Sequence, residues 1–367
     1  MRVRSLSLLF ATAGLAVSLS GAHPAARAVV TSADAGATLT AIGPLAFGPG
    51  DVLFAADSQA AAIYALDLGT SAAAPGAADV ADLDKKLAAV LGTDAASVTI
   101  TDLAVHPRTH NVYVSAMRGT GAGAAPALVR VDGTGRLDVV SLNALKYSSV
   151  ALPNAPAATP GARNPRTQSI TDMAFDGGTL IVAGLSNEEF ASKLRSLKYP
   201  FSAVDPGTSV EIYHGSHGAV ETRSPVYAFV PYTIGGTRQI VAGYLCTPLV
   251  TFPMTSLTSA AAGAKVRGTT IAELGAGNRP IDIILYARDG KDYLLMSNTS
   301  RGVMKIPTAT FASATGISSQ IQGTAGVPFE TLTDLKGVEQ LDRTAGDKVV
   351  VLARADTGLS LRTIPLP

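Results

Sequence analysis

The sequence predicts an all-β fold, a six-bladed β-propeller with short helical insertions. Three observations predict it. A unit of three short apolar strands recurs six times along the chain, and repetition at a fixed period is the signature of ring and solenoid folds. The segments joining strands within a unit are rich in Gly, Asp and Pro, the chemistry of hairpin turns. The second strand of a unit ends in small residues, as at Ala183 and Gly184, which suits crowded packing between blades. Each unit takes roughly 55 residues, near the length of a four-stranded blade. The long linkers also accommodate a seventh blade, and the rival architecture is a pair of β-sandwich domains.

In order, the first unit is residues 42–47, a Gly-Pro-Gly-Asp turn, 52–56 and 62–66. The second is 100–105, a turn from His106 to Asn111, 112–116 and 128–131; the third is 170–175, a Gly-Gly turn and 180–184. Three looser copies follow at 225–252, 280–306 and 337–364. Between them, residues 79–92 predict a helix with Leu83, Leu87 and Val90 on one face and Gly92 as its stop. Ser186 and Glu189 have capping-box spacing ahead of Phe190, Leu194 and Leu197, which predicts a second helix. Residues 151–168 are rich in Pro, Ala and Asn and read as loop. Residues 186–220 read as an insertion in the third blade, either a cap over one mouth of the ring or a decorated rim.

Residues 1–28 have the layout of a secretory signal peptide: Arg2 and Arg4, a short apolar stretch, and a small-x-small cut at Ala26-Arg27-Ala28. Residues 29–367 then form a single propeller domain, expected to be a periplasmic or secreted monomer. No later stretch is long and apolar enough to cross a membrane. The charge is balanced, 29 Lys+Arg against 28 Asp+Glu, which excludes a strongly basic surface for nucleic acid. A single Cys excludes an intrachain disulfide framework and a Cys-rich zinc site. No nucleophile elbow, Walker loop or His-Glu-x-x-His helix is present. With no Trp, any stacking platform must come from Tyr or Phe.

Residues 43–50 with 53–57, and residues 100–107, resemble secreted bacterial propellers of the gluconolactonase, strictosidine-synthase-like and NHL-repeat kind. Residues 186–194, 214–218 and 246–249 resemble a set of exported propeller proteins, a likeness that brings no activity with it. The lactonase likeness lies in blade grammar. That family's calcium-binding Glu, Asn and Asp residues have no one-for-one match here.

Propellers present ligands at the central channel. Three units place an acid near the start of the first strand, Asp102, Asp172 and Asp282, and Glu339 stands in for the last. Converging carboxylates require a cation, an Arg or shared protons, and an oxygen-only cluster suits Ca²⁺. Arg166, Arg223 with Glu221, and Arg279 with Asn278 lie on the same loops and could clamp an anion. The same acids also read as turn caps paired with those Arg. His214 and His217 lie on a Gly-bounded turn; with Cys246 and one of Met254, Met296 or Met304 they could form a soft, copper-like set. Cys246 also reads as a buried, inert thiol within an apolar strand.

These residues point first to an exported propeller that binds a small molecule, ion or protein partner at its channel mouth. The alternatives are a calcium-dependent hydrolase of lactones or esters and a periplasmic metal-handling accessory protein.

Overall fold

The computed structural model describes residues 30–34, 36–70, 72–73, 77–161, 164–259 and 264–367. The signal-peptide reading of residues 1–28 lies outside them. Among the described residues the strands form six sheets, the blades of a six-bladed β-propeller. No helix among them is long and apolar enough to cross a membrane.

The three-strand units of the sequence are the inner three strands of the blades. Blade 1 runs Leu45–Phe47, Val52–Asp57 and Ala62–Asp67. Blade 2 is Val98–Val105, Val112–Arg118, Ala125–Val131 and Leu137–Val140. Blade 3 begins with Asp172–Asp176, Thr179–Leu185, Ser192–Lys198 and Thr208–His214; blade 4 is Val226–Ile234, Thr237–Tyr244, Pro248–Pro253 and Thr269–Glu273. Blade 5 is Pro280–Arg288, Lys291–Asn298, Gly302–Pro307 and Glu330–Leu332; blade 6 is Val338–Thr344, Lys348–Ala355 and Gly358–Pro365.

Order around the ring departs from order along the chain. The first strands touch in the circuit 2–1–3–4–5–6 and back to 2, so blade 1 sits between blades 2 and 3. Six apolar clusters, one per interface, follow the same circuit. Leu103 and Val129 of blade 2 pack with Val350 and Leu361 of blade 6. Phe54 and Ile63 of blade 1 pack with Met173 and Leu180 of blade 3. After blade 1 the chain crosses to blade 6, where Val80 bridges Leu361. It builds blade 2 and returns with Lys146–Ala151 as the fourth strand of blade 1, which Val30–Ala33 then covers. Val80 thus ties the early chain to the last strand of blade 6.

The helix Leu83–Leu91 ends at Gly92, whose φ of 66° suits a residue without Cβ. It buries Leu83, Leu87, Ala88 and Leu91 against blades 2 and 6. Val90, expected on that face, is exposed: it lies beside Leu83 around the helix, at the edge of a buried stripe that Leu87, Leu91 and Ala88 extend to the other side.

The second predicted helix is a strand. Ser192–Lys198 pairs with Thr179–Leu185, Leu194 opposite Ala183 and Leu197 opposite Leu180. A spacing of three puts these leucines on opposite faces of a strand. A blade is apolar on both faces: Leu194 packs toward blade 4 and Leu197 toward blade 1. The capping-box residues sit in the preceding loop, where the Ser186 hydroxyl accepts from the Glu188 N–H at 3.3 Å. Residues 186–220 thus supply the third and fourth strands of blade 3 rather than a cap over the channel.

Close packing explains the small residues that end the second strands. A Cβ on Gly184 would run into the Ser169 carbonyl, and one on Gly243 would meet Pro280 of blade 5 at 2.9 Å.

Candidate functional site: the aspartate-lined channel

The first strands enclose a channel of about 2210 Å³. Pairing register shifts at the entry of four of them, between Ile100 and Asp102, Val226 and Ala228, Pro280 and Asp282, and Val338 and Gln340. Such a bulge re-aims the side chains beyond it. The first residue after it is Asp102 in blade 2, Ala228 in blade 4, Asp282 in blade 5 and Gln340 in blade 6. By its pairing with Ala183, Asp172 holds that position in blade 3; Pro44 holds it in blade 1, beside Gly43, whose N–H bonds Ala56.

Each of these aspartates clasps two blades. Asp172 accepts the N–H of its own neighbour Met173 at 2.7 Å and of Phe229 in blade 4 at 2.7 Å. Asp282 accepts Ile283 at 2.7 Å and Leu341 of blade 6 at 2.8 Å. Asp102 accepts Leu103 at 2.8 Å and Leu45 of blade 1 at 2.6 Å. Asp342, one pleat deeper in blade 6, accepts Arg343 at 2.7 Å and Val105 of blade 2 at 2.7 Å. All four reach forward in the same rotational sense. The Thr before two of them does likewise: Thr101 donates to the Ile42 carbonyl at 2.8 Å and Thr171 to Val226 at 2.5 Å. Thr-Asp is therefore an inter-blade fastener here: the carboxyl spans N–H groups of two blades while the hydroxyl before it bonds a carbonyl of the next.

The carboxylates also sense one another. With its amide nitrogen toward them, Gln340 donates to Asp282 at 3.0 Å and to Asp102 at 3.1 Å. Burial, then repulsion from Asp282, holds Asp102 and Asp172 well above the usual carboxylate range. Burial pushes Asp282 up to about 7, with Asp342 adding repulsion, and Asp342 up to about 6. Every carboxylate oxygen already holds a backbone N–H. Among the described residues no three of these acids bring ligand oxygens within 4.8 Å of one another, as a compact Ca²⁺ cage would need.

At the mouth where the first strands begin, the Arg279 guanidinium lies 5.2 Å from the Tyr227 ring centroid, and the Tyr227 hydroxyl accepts from Gln168 at 3.1 Å. Glu339 lines the same space and is held by Arg354 at 2.5 and 3.2 Å.

Five of the six candidate ligand residues, Asp102, Asp172, Arg279, Asp282 and Glu339, thus line the channel. Arg223 does not: it is exposed on the loop before blade 4, and Glu221 turns away from it to His214 and His217. Arg166 is also off the lining, and Asn278 bonds Asn298 and Ser300 rather than Arg279. Residue spacing alone missed Asp342, Gln340 and Tyr227. The extra residue of the bulge hid them, since it moves Gln340, not Glu339, into the aspartate position. The alternation Val338, Gln340, Asp342 was the available signal.

Away from the channel, His214 and His217 end blade 3 and Cys246 lies on the turn after Thr237–Tyr244 in blade 4. Their ligand atoms lie within 4.8 Å of one another. Cys246 is a part-exposed turn residue with φ of 61°, not a strand residue. Met296 and Met304 belong to the core between blades 4 and 5, and Met254 to that between blades 3 and 4.

No protein-family model matches the chain, and no curated protein matches it. Solved structures similar to it include a chain of the mitotic checkpoint complex, at 11% identity over 99% of each chain with a TM-score of 0.36. Another is a putative oxidoreductase (glucose dehydrogenase) from Thermus thermophilus, at 14% identity over 92% of this chain and 100% of that one, TM-score 0.33. A third is the PQQ-bound aldose sugar dehydrogenase from Streptomyces coelicolor, at 14% identity over 93% of this chain and 100% of that one, TM-score 0.29.

Proposed function

We propose that this propeller binds a small organic cation, an amine-bearing polar molecule, in its central channel. One observation carries the reading: carboxylates from blades 2, 3, 5 and 6 converge on one water-accessible space, where burial, joined by repulsion at those of blades 2, 3 and 5, disfavours their charged forms. A bound cation relieves both effects. An organic amine fits better than Ca²⁺, because it needs only outward lone pairs on spread carboxylates rather than a compact oxygen cage. Tyr227, Arg279 and Gln168 at the mouth supply an aromatic face and hydrogen-bond donors for the rest of the molecule.

Thermal unfolding with separate panels of small amines, neutral sugars, carboxylic acids and Ca²⁺ tests it, since a ligand of the native state raises Tm. Amines should raise Tm, more at pH 8 than at pH 5, and Asp282→Asn should reduce the shift. Stabilisation by acids or Ca²⁺ alone, or by nothing in the panels, would overturn it.

A further inference from the structure

We propose that His214, His217 and Cys246 form a binding site for a d¹⁰ metal ion, Zn²⁺ or Cu⁺, at the junction of blades 3 and 4. None of the three lines the channel, so the site stands apart from the proposed ligand chamber.

Two imidazole nitrogens and a thiol sulfur suit borderline-to-soft ions and not Ca²⁺ or Mg²⁺. The fold assembles them from separate elements: His214 ends the strand Thr208–His214, His217 lies on the turn after it, and Cys246 lies on the turn between Thr237–Tyr244 and Pro248–Pro253. One potential ligand atom of each lies within 4.8 Å of the other two, and the imidazole centroids are 3.9 Å apart. A single carboxylate braces both rings. Glu221 Oε1 takes His214 Nδ1 at 3.0 Å and His217 Nδ1 at 2.5 Å. Carboxylates in this role fix ring orientation and leave Nε2 as the ligand atom.

A second, independent observation points to a ligand. His214 is 1% exposed, and its Nε2 has no hydrogen-bond partner; the Glu273 carboxylate stops 4.0 Å away. A buried polar atom left unsatisfied is costly, and a metal ion would satisfy it. His217 is half exposed and Cys246 part exposed, which gives an ion a route in and leaves a coordination position toward solvent.

The test is metal titration of the full chain under anaerobic, reducing conditions. Zn²⁺ is followed by competition with a chromophoric chelator, Cu⁺ by competition with a copper(I) chelator, and Co²⁺ serves as a spectroscopic probe of thiolate ligation. One ion per chain is expected, with a sulfur-to-cobalt charge-transfer band that Cys246→Ser abolishes. His217→Ala should weaken binding at least tenfold and lower the unfolding midpoint of the metal-free protein only slightly, since the contact it gives up to Glu221 is half exposed. Glu221→Gln, a positioning change, should weaken it 10–100-fold with the charge-transfer band retained. The arm that shows tight one-to-one binding identifies the ion. No stoichiometric binding in either arm, or affinity unchanged in both His217→Ala and Cys246→Ser, would overturn the assignment.

Discussion

The hub carboxylates should make the stability of this protein fall as pH rises through the weakly acidic range. Asp282 is the clearest case. An acid whose pKa is raised by folding keeps its proton in the native state after the unfolded chain has lost it. Between the two values the native state binds more protons, so stability declines as pH rises and levels off above the folded value. For Asp282 the window runs from about pH 4 to about pH 7. At about 1.4 kcal/mol per unit, its full loss is at most about 4 kcal/mol, less what channel water screens. Asp342, pushed to about 6, acts in the same direction, as do the raised Asp102 and Asp172. Acids held low by partners, such as Asp138 beside Arg136 and Arg130 or Glu221 beside His214, lose their contribution only below the usual carboxylate range, outside this window. Asp282→Asn removes the titration. It keeps one acceptor but turns an NH₂ toward the N–H of Ile283 or Leu341, a cost of about 1–3 kcal/mol. Guanidinium unfolding between pH 4.5 and 8 should show the native protein losing stability with pH and the variant changing less, so that the two curves converge. A native curve that is level or rises, or a variant curve parallel to it, would refute the reasoning.

Thr171→Val keeps the shape of the fastener and removes the hydroxyl that bonds the Val226 carbonyl; denaturant unfolding should show a loss of about 1–2 kcal/mol. Gly184→Ala forces a Cβ onto the Ser169 carbonyl, just ahead of the paired first strand Asp172–Asp176, so a loss of about 1–3 kcal/mol is expected from the unfolding midpoint. Arg195 is fully buried, its Nε and Nη1 lack partners, and burial pushes its pKa down to about 10. Arg195→Met should therefore stabilise the fold by about 1–4 kcal/mol; a lower midpoint would show that the nearby Asp205 and Glu188 charges need the guanidinium.

The blade grammar was legible because it is local. Hairpin turns such as Gly48 to Asp51 and second strands ending in Ala-Gly follow from the chain's immediate neighbours, and six such units fixed the class of fold. The acids Asp102, Asp172 and Asp282 were legible for the same reason, each heading a strand in a repeated place. The sequence could not show that Leu194 and Leu197 belong to a strand, because a spacing of three serves one helix face and two blade faces equally well. It could not show that blade 1 lies between blades 2 and 3, since that order is set by which apolar faces meet around a closed ring. Nor could it show that Glu221 serves His214 and His217 rather than Arg223, or that Gln340 takes the aspartate position. Chain spacing determines what kind of sheet forms. Which side chains share a hub or a blade junction depends on bulges, crossovers and closure, and these balance interactions between residues far apart in the chain.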